Sequence, residues 1–117
     1  MNQIQIPPLA EGETYIGSIG NAAGEIYHLV LLPGDNDDAT HAEQLEWAQS
    51  IGGDLPDRVE QAMLFRDKPE LFQKEAYWSN KKDDDGWAWC QYFDYGGQDG
   101  YRASYALRAR AVRRLPI

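Results

Sequence analysis

The hydrophobic pattern changes its period along the chain. Glu13 to Ser18 alternates weakly and predicts a short strand. Gly20-Asn21-Ala22-Ala23-Gly24 predicts a turn. Ile26 to Leu32, rich in branched and aromatic residues, predicts a stronger strand. The two strands together predict a β-hairpin, closed by the polar loop Pro33-Gly34-Asp35-Asn36-Asp37-Asp38. The period then becomes helical. Thr40-His41-Ala42-Glu43 is a capping box, in which Thr40 accepts from the Glu43 amide and the Glu43 side chain returns to Thr40. The first helix should bury Leu45, Ala48 and Ile51, with Trp47 at its flank, and stop at Gly52-Gly53. Leu55-Pro56 predicts an extended link. Asp57-Arg58-Val59-Glu60 has the form of a second capping box. The second helix should bury Val59, Ala62, Met63 and either Phe65 or Arg66. Pro69 predicts one more helical turn through Leu71 and Phe72.

After Phe72 the pattern returns to strand. Tyr77-Trp78-Ser79 is short, and Lys81-Lys82-Asp83-Asp84-Asp85-Gly86 is a charged turn. Trp87, Trp89, Gln91, Phe93 and Tyr95 alternate with Ala88, Cys90, Tyr92 and Asp94, a period of two. Gly96-Gly97-Gln98-Asp99-Gly100 predicts a loop, and a last strand is expected near Ala106 to Leu115. Hairpin, two helices and a run of strands predict an α+β domain, its helices packed on one side of a mainly antiparallel sheet. Residues 1–12 are expected as an N-terminal tail and 13–117 as a single domain.

Composition narrows the class. The single cysteine, Cys90, excludes an internal disulfide and fits a reducing compartment. No apolar run approaches the ~20 residues of a membrane helix. The N-terminus has no basic stretch of a signal peptide, so a cytoplasmic protein is expected. The net charge is −8 and lies unevenly: residues 1–60 hold 11 acids and one base, residues 61–117 hold 8 acids and 10 bases. That total disfavours nonspecific binding to nucleic acid or an anionic membrane. An acidic N-terminal body serves solubility, or meets a basic partner.

Certain stretches form an ordered set. They are Tyr27-His28-Leu29-Val30-Leu31-Leu32-Pro33-Gly34, Trp47-Ala48, Gly52-Gly53-Asp54-Leu55-Pro56-Asp57-Arg58-Val59-Glu60-Gln61-Ala62, Tyr77-Trp78-Ser79 and Ala109-Arg110-Ala111-Val112-Arg113. The set resembles a domain-of-unknown-function family of phages, prophages and bacteria with a C-type-lectin-like fold. Formylglycine-generating enzymes and the variable receptor-binding proteins of diversity-generating retroelements are similar more distantly. The resemblance covers roughly residues 13–115. It implies a ligand surface on the later strands and loops, about Trp78 to Tyr105. The chain departs from the enzymatic relatives, which use paired cysteines, and carries no lectin calcium motif of the Glu-Pro-Asn kind.

No catalytic or metal constellation is readable. Cys90, Ser79 and Ser104 have no spacing that pairs them with His28 or His41. Asp35-Asn36-Asp37 with Glu46 approaches a calcium loop, but Ala39 and Thr40 replace a ligand and the required glycine. Asp83-Asp84-Asp85 reads as a solvated turn. Glycines 17, 20 and 24 sit in a hairpin rather than between strand and helix, so they make no phosphate cradle. The expectation is therefore no enzyme, no cofactor and no metal.

The aromatic stretch carries the functional expectation. Trp78, Tyr92, Tyr95, Tyr101 and Tyr105 cannot all lie inside so small a domain, and exposed Trp and Tyr are binding anchors. A ligand surface is expected from Trp78, Trp87, Gln91, Tyr92, Tyr95, Gln98, Asp99, Tyr101, Arg102 and Tyr105, meeting a protein or glycan, or a second copy of the chain. The competing expectation is a small acidic intracellular phage inhibitor of anti-CRISPR type. Its clustered carboxylates, Asp35, Asp37, Asp38, Glu43, Glu46 and Glu60, would imitate phosphates. The closing arginines, Arg108 and Arg110 among them, are expected to pair with acids of the 83–99 region or of the N-terminal body.

Overall fold

The computed structural model describes residues 3–117. It is an α+β fold with two sheets. The order is β1 (Thr14–Gly20), β2 (Ile26–Leu31), β3 (Asn36–Ala39), α1 (His41–Ser50), α2 (Arg58–Asp67), a 3-10 turn (Pro69–Leu71), β4 (Ala76–Lys82), β5 (Trp87–Tyr92), β6 (Gln98–Arg102), β7 (Leu107–Ala109) and β8 (Val112–Pro116). One sheet has the order β1-β2-β8 and the other β3-β7-β4-β5-β6. All neighbours run antiparallel except β4 and β7. No helix among the described residues is long and apolar enough to cross a membrane.

The expected N-terminal hairpin forms. Its turn is held by Asn21, whose Oδ1 accepts from the amides of Ala23 and Glu25. The sequence pattern predicted one closing strand, whereas the chain breaks at Arg110-Ala111. It leaves the larger sheet after β7 and enters the smaller one as β8, beside β2. Gly53 makes this crossing possible. The Asp54 and Val112 amides exchange hydrogen bonds at 2.9 and 2.8 Å. A Cβ on Gly53 would stand 2.6 Å from the Leu32 side chain and 2.7 Å from the Val112 carbonyl. Gly52 ends α1 with φ +83°, as the paired glycines predicted.

Both capping boxes form, Thr40 with Glu43 and Asp57 with Glu60. The buried stripes differ from expectation. In α1, His41, Gln44 and Ala48 are buried, while Ile51 is exposed. In α2, Glu60, Gln61 and Leu64 are buried, while Val59 is 65% exposed. Partner groups explain the exchange, because a buried polar group is tolerated once its hydrogen bonds are made. Gln44 donates to the carbonyls of Asp37 and Leu107 and accepts from Asn36. Gln61 donates to the Tyr77 carbonyl. Glu60 receives the Tyr27 hydroxyl and the Arg114 guanidinium.

Two further segments read as loops from their turn-forming composition but pair as strands. Asn36–Ala39 lies against β7, and Gln98–Arg102 lies against β5. One apolar cluster includes Ile16, Leu29, Leu64, Phe72, Tyr77 and Phe93; the other includes Leu32, Leu55, Trp78, Ala88 and Cys90.

Candidate binding surface

The β5–β6 hairpin positions the candidate surface. Cross-strand partners share a face and successive residues alternate. Trp87 pairs with Arg102, Trp89 with Gly100 and Gln91 with Gln98 on one face. Ala88 pairs with Tyr101 and Cys90 with Asp99 on the other. The expected site is therefore divided between two faces.

On the Tyr101 face the rings form an unbroken chain. Tyr95 stacks on Tyr92 with centroids 5.4 Å apart. Tyr92 meets Tyr101 edge-on at 6.3 Å, and Tyr101 meets Tyr105 at 5.8 Å. Tyr92 and Tyr101 are half-buried against the core cluster of Trp78 and Cys90. Tyr95 and Tyr105, at the two ends, are 67% and 51% exposed. The inner rings anchor the ribbon and the outer rings present it. Burial first, then the neighbouring Tyr101 hydroxyl, pushes the Tyr92 phenol above its ordinary value, so it stays neutral. Asp99 is exposed on the same face and its side chain accepts from the Gly100 amide.

On the Trp87 face, Trp87 is 39% exposed with the Arg102 guanidinium 5.2 Å from its ring centroid. Arg58 from α2 lies 3.6 Å over the Trp89 ring. Its Nε donates to Gln98 at 3.1 Å, and Gln98 donates to the Arg58 carbonyl and to Gln91. Sequence reasoning placed Val59 inside and gave Arg58 no functional role. The alternation of tryptophans with the helix start at Asp57 was the available signal, but only the fold brings Arg58 over Trp89.

Two members of the expected ligand set lie inside. Trp78 is 0% exposed; its indole donates to the Ala39 carbonyl and packs edge-on against His41. Gln91 is also buried. Neither offers its side chain to a ligand. Trp78, on the Cys90 face, packs into the cluster of Leu32, Ala48 and Leu55, while Gln91, on the opposite face beside Tyr77, accepts from the Gln98 side chain.

The acidic set is dispersed in a similar way. Glu60 is buried in the ion pair with Arg114 at 2.7 Å. Asp35 and Asp37 pair with Arg108 at 2.8 and 3.2 Å, and Asp35 also accepts from the Tyr77 hydroxyl. Glu43 is occupied in the Thr40 cap, while Asp38 and Glu46 are exposed. The acids that meet the closing arginines are thus those of the N-terminal body, with Glu75 in addition 3.8 Å from Arg108. Arg110 instead donates to the carbonyls of Leu71 and Leu32.

Nucleophilic chemistry finds no support at Cys90. It is buried, and burial followed by nearby Asp99 pushes its thiol up to about 11. His41 is buried with its Nε2 2.8 Å from the Ser79 carbonyl, and burial lowers its proton affinity. Among the described residues no group of three or more His, Cys, Asp and Glu side chains is placed to hold a metal ion. No protein-family model matches the chain, and no curated protein matches it.

Proposed function

We propose that the chain is a non-enzymatic, C-type-lectin-like binding domain of phage or prophage type, presenting its tyrosine ribbon to a protein or glycan. The carrying observation is the contiguous run Tyr95, Tyr92, Tyr101 and Tyr105, exposed at both ends and anchored in the middle. Anchored aromatics lose little side-chain freedom on binding and bring large contact area. The lectin-like part of the reading draws support from the element order: an N-terminal hairpin, two helices, then strands of a second sheet, with the last strand returning to the hairpin. The competing inhibitor reading is weakened by the ion pairs, which withdraw Asp35 and Glu60 from any phosphate-like array.

The test is capture from host lysate and on a glycan array, at low and high salt, with the wild-type chain and Y95A/Y105A. Aromatic contact predicts binding that persists at high salt and falls at least tenfold in the double variant. A ligand held only at low salt, and held equally by Y95A/Y105A, would overturn the reading.

A further inference from the structure

The opposite face of the same hairpin carries a different chemistry. The chain has seven arginines. Arg66, Arg108, Arg113 and Arg114 are paired with carboxylates, and Arg110 is spent on backbone carbonyls. Arg58 and Arg102 remain. Among the described residues neither makes a salt bridge, and each lies against an indole of the same β5 face. Trp87 and Trp89 are two residues apart, so the two indole-bearing positions lie roughly 7 Å apart along the strand, each with its own guanidinium. Stacking orients the groups beforehand while leaving N–H donors for a ligand.

An apolar groove adjoins this pair. Two clefts, of about 400 and 360 Å³, meet at Val59 and run from Arg58 and Gln98 across Ala62 and Met63 to Ile19. A third, of about 400 Å³, opens from Val59 toward Glu25 and Asp57, and its acidic lining leaves it outside the groove. Exposed Trp87 and Arg58, with half-buried Met63 and aliphatic side chains beside them, are the composition of a protein-binding face.

We infer that this second surface binds an acidic protein segment: a carboxylate between Arg58 and Arg102, and an aliphatic side chain in the groove at Val59. The aliphatic lining suits a protein side chain rather than a sugar, which needs flat rings and paired polar groups. A nucleic-acid strand fits poorly. The net charge of −8 repels a polyanion along its whole length. A single carboxylate meets only the local charges within the ~10 Å over which salt screens, and there the two guanidinium groups offer it direct N–H donors.

The test uses a random dodecapeptide library displayed on phage, panned on the full chain, with selected peptides remeasured by calorimetry. The expected result is a consensus with Asp or Glu beside Leu, Ile or Val. R58E/R102E, checked for native circular dichroism, should weaken it at least tenfold, and Asn or Gln in place of the peptide acids should do the same. Y95A/Y105A should bind the peptide as the wild type does, because its rings lie on the other face. No enrichment, a consensus without acids, equal binding by R58E/R102E, loss in Y95A/Y105A, or tighter binding of a fifteen-base oligothymidine would each overturn the inference.

Discussion

The arginines of β7 and β8 and those of the β5–β6 hairpin face share a residue type and little else. Arg108, Arg113 and Arg114 reach back to acids of the N-terminal half, Arg108 meeting Glu75 as well, and close the fold on itself. Arg58 and Arg102 lie on indole rings with no carboxylate partner among the described residues. The first group converts an uneven charge distribution into internal contacts. The second group leaves positive charge at the surface of a net-acidic chain. Where a chain of such charge sets two arginines on neighbouring indoles with no carboxylate partner among the described residues, their role is sought in recognition rather than in stability.

The strongest way to break this comparison is at Arg114. Its guanidinium holds the fully buried Glu60 at 2.7 Å and also reaches Asp54 at 2.8 Å. Removing one partner leaves the other buried without compensation. R114M should therefore cost about 3 kcal/mol, the low end for a broken buried pair, because the Arg114 side chain is still partly solvated. Urea denaturation measures it. Adding E60Q should restore part of the loss by removing the stranded charge. A cost below about 1 kcal/mol for R114M would place this pair with ordinary surface bridges.

Glu60 also shows how far the sequence was legible. Both capping boxes could be read because their members lie within one helical turn, and both form. The buried faces could not be read. Counting apolar residues put Val59 inside and Glu60 outside, the reverse of the structure. Glu60 is buried because Arg114 and Tyr27 meet it, and Gln44 because Asp37, Leu107 and Asn36 do. Partners that lie outside the helix itself leave no periodic trace in it. Gln98–Arg102 has the composition of a loop and becomes a strand because β5 offers it a pairing edge, so tertiary pairing overrides local propensity. The surplus of aromatics announced an exposed surface. It did not announce that alternation along β5 would turn Trp78's neighbour Cys90 and the tyrosines to one side and the arginine-capped tryptophans to the other.

Acid sharpens the comparison through Glu13 and His41. The hydrogen bond from Arg113 holds Glu13 down to about 2 from 4.5, while burial lowers His41 from 6.5. In both cases the unfolded chain binds the proton more readily, so stability falls as pH falls. The His41 contribution is intact above 6.5 and is lost below it. The Glu13 contribution is intact above 4.5 and is lost toward 2. Denaturation midpoints measured from pH 7 to pH 2.5 should therefore decline gently at first and more steeply below 4.5. E13Q should flatten the lower part and leave the upper part unchanged. An E13Q profile parallel to wild type throughout would remove Arg113 from the stabilising group.

The smallest stability effect is expected at the hairpin arginines, and that smallness is what separates the two groups. Arg102 lies over Trp87 at 5.2 Å in an exposed setting, so its cation–π contact contributes roughly 0.5 kcal/mol. Arg58 sits closer, at 3.6 Å, and adds one hydrogen bond to Gln98, so R58Q should cost no more than about 1 kcal/mol. Urea midpoints of R58Q, R102Q and the double variant would therefore lie near wild type, far from that of R114M. A loss of 2 kcal/mol or more in R102Q would show this arginine holding the hairpin together, and its stacking on Trp87 would then be a fold contact like those of β8. If the midpoints hold, the guanidinium groups are free for a ligand, and the sheet stands without them.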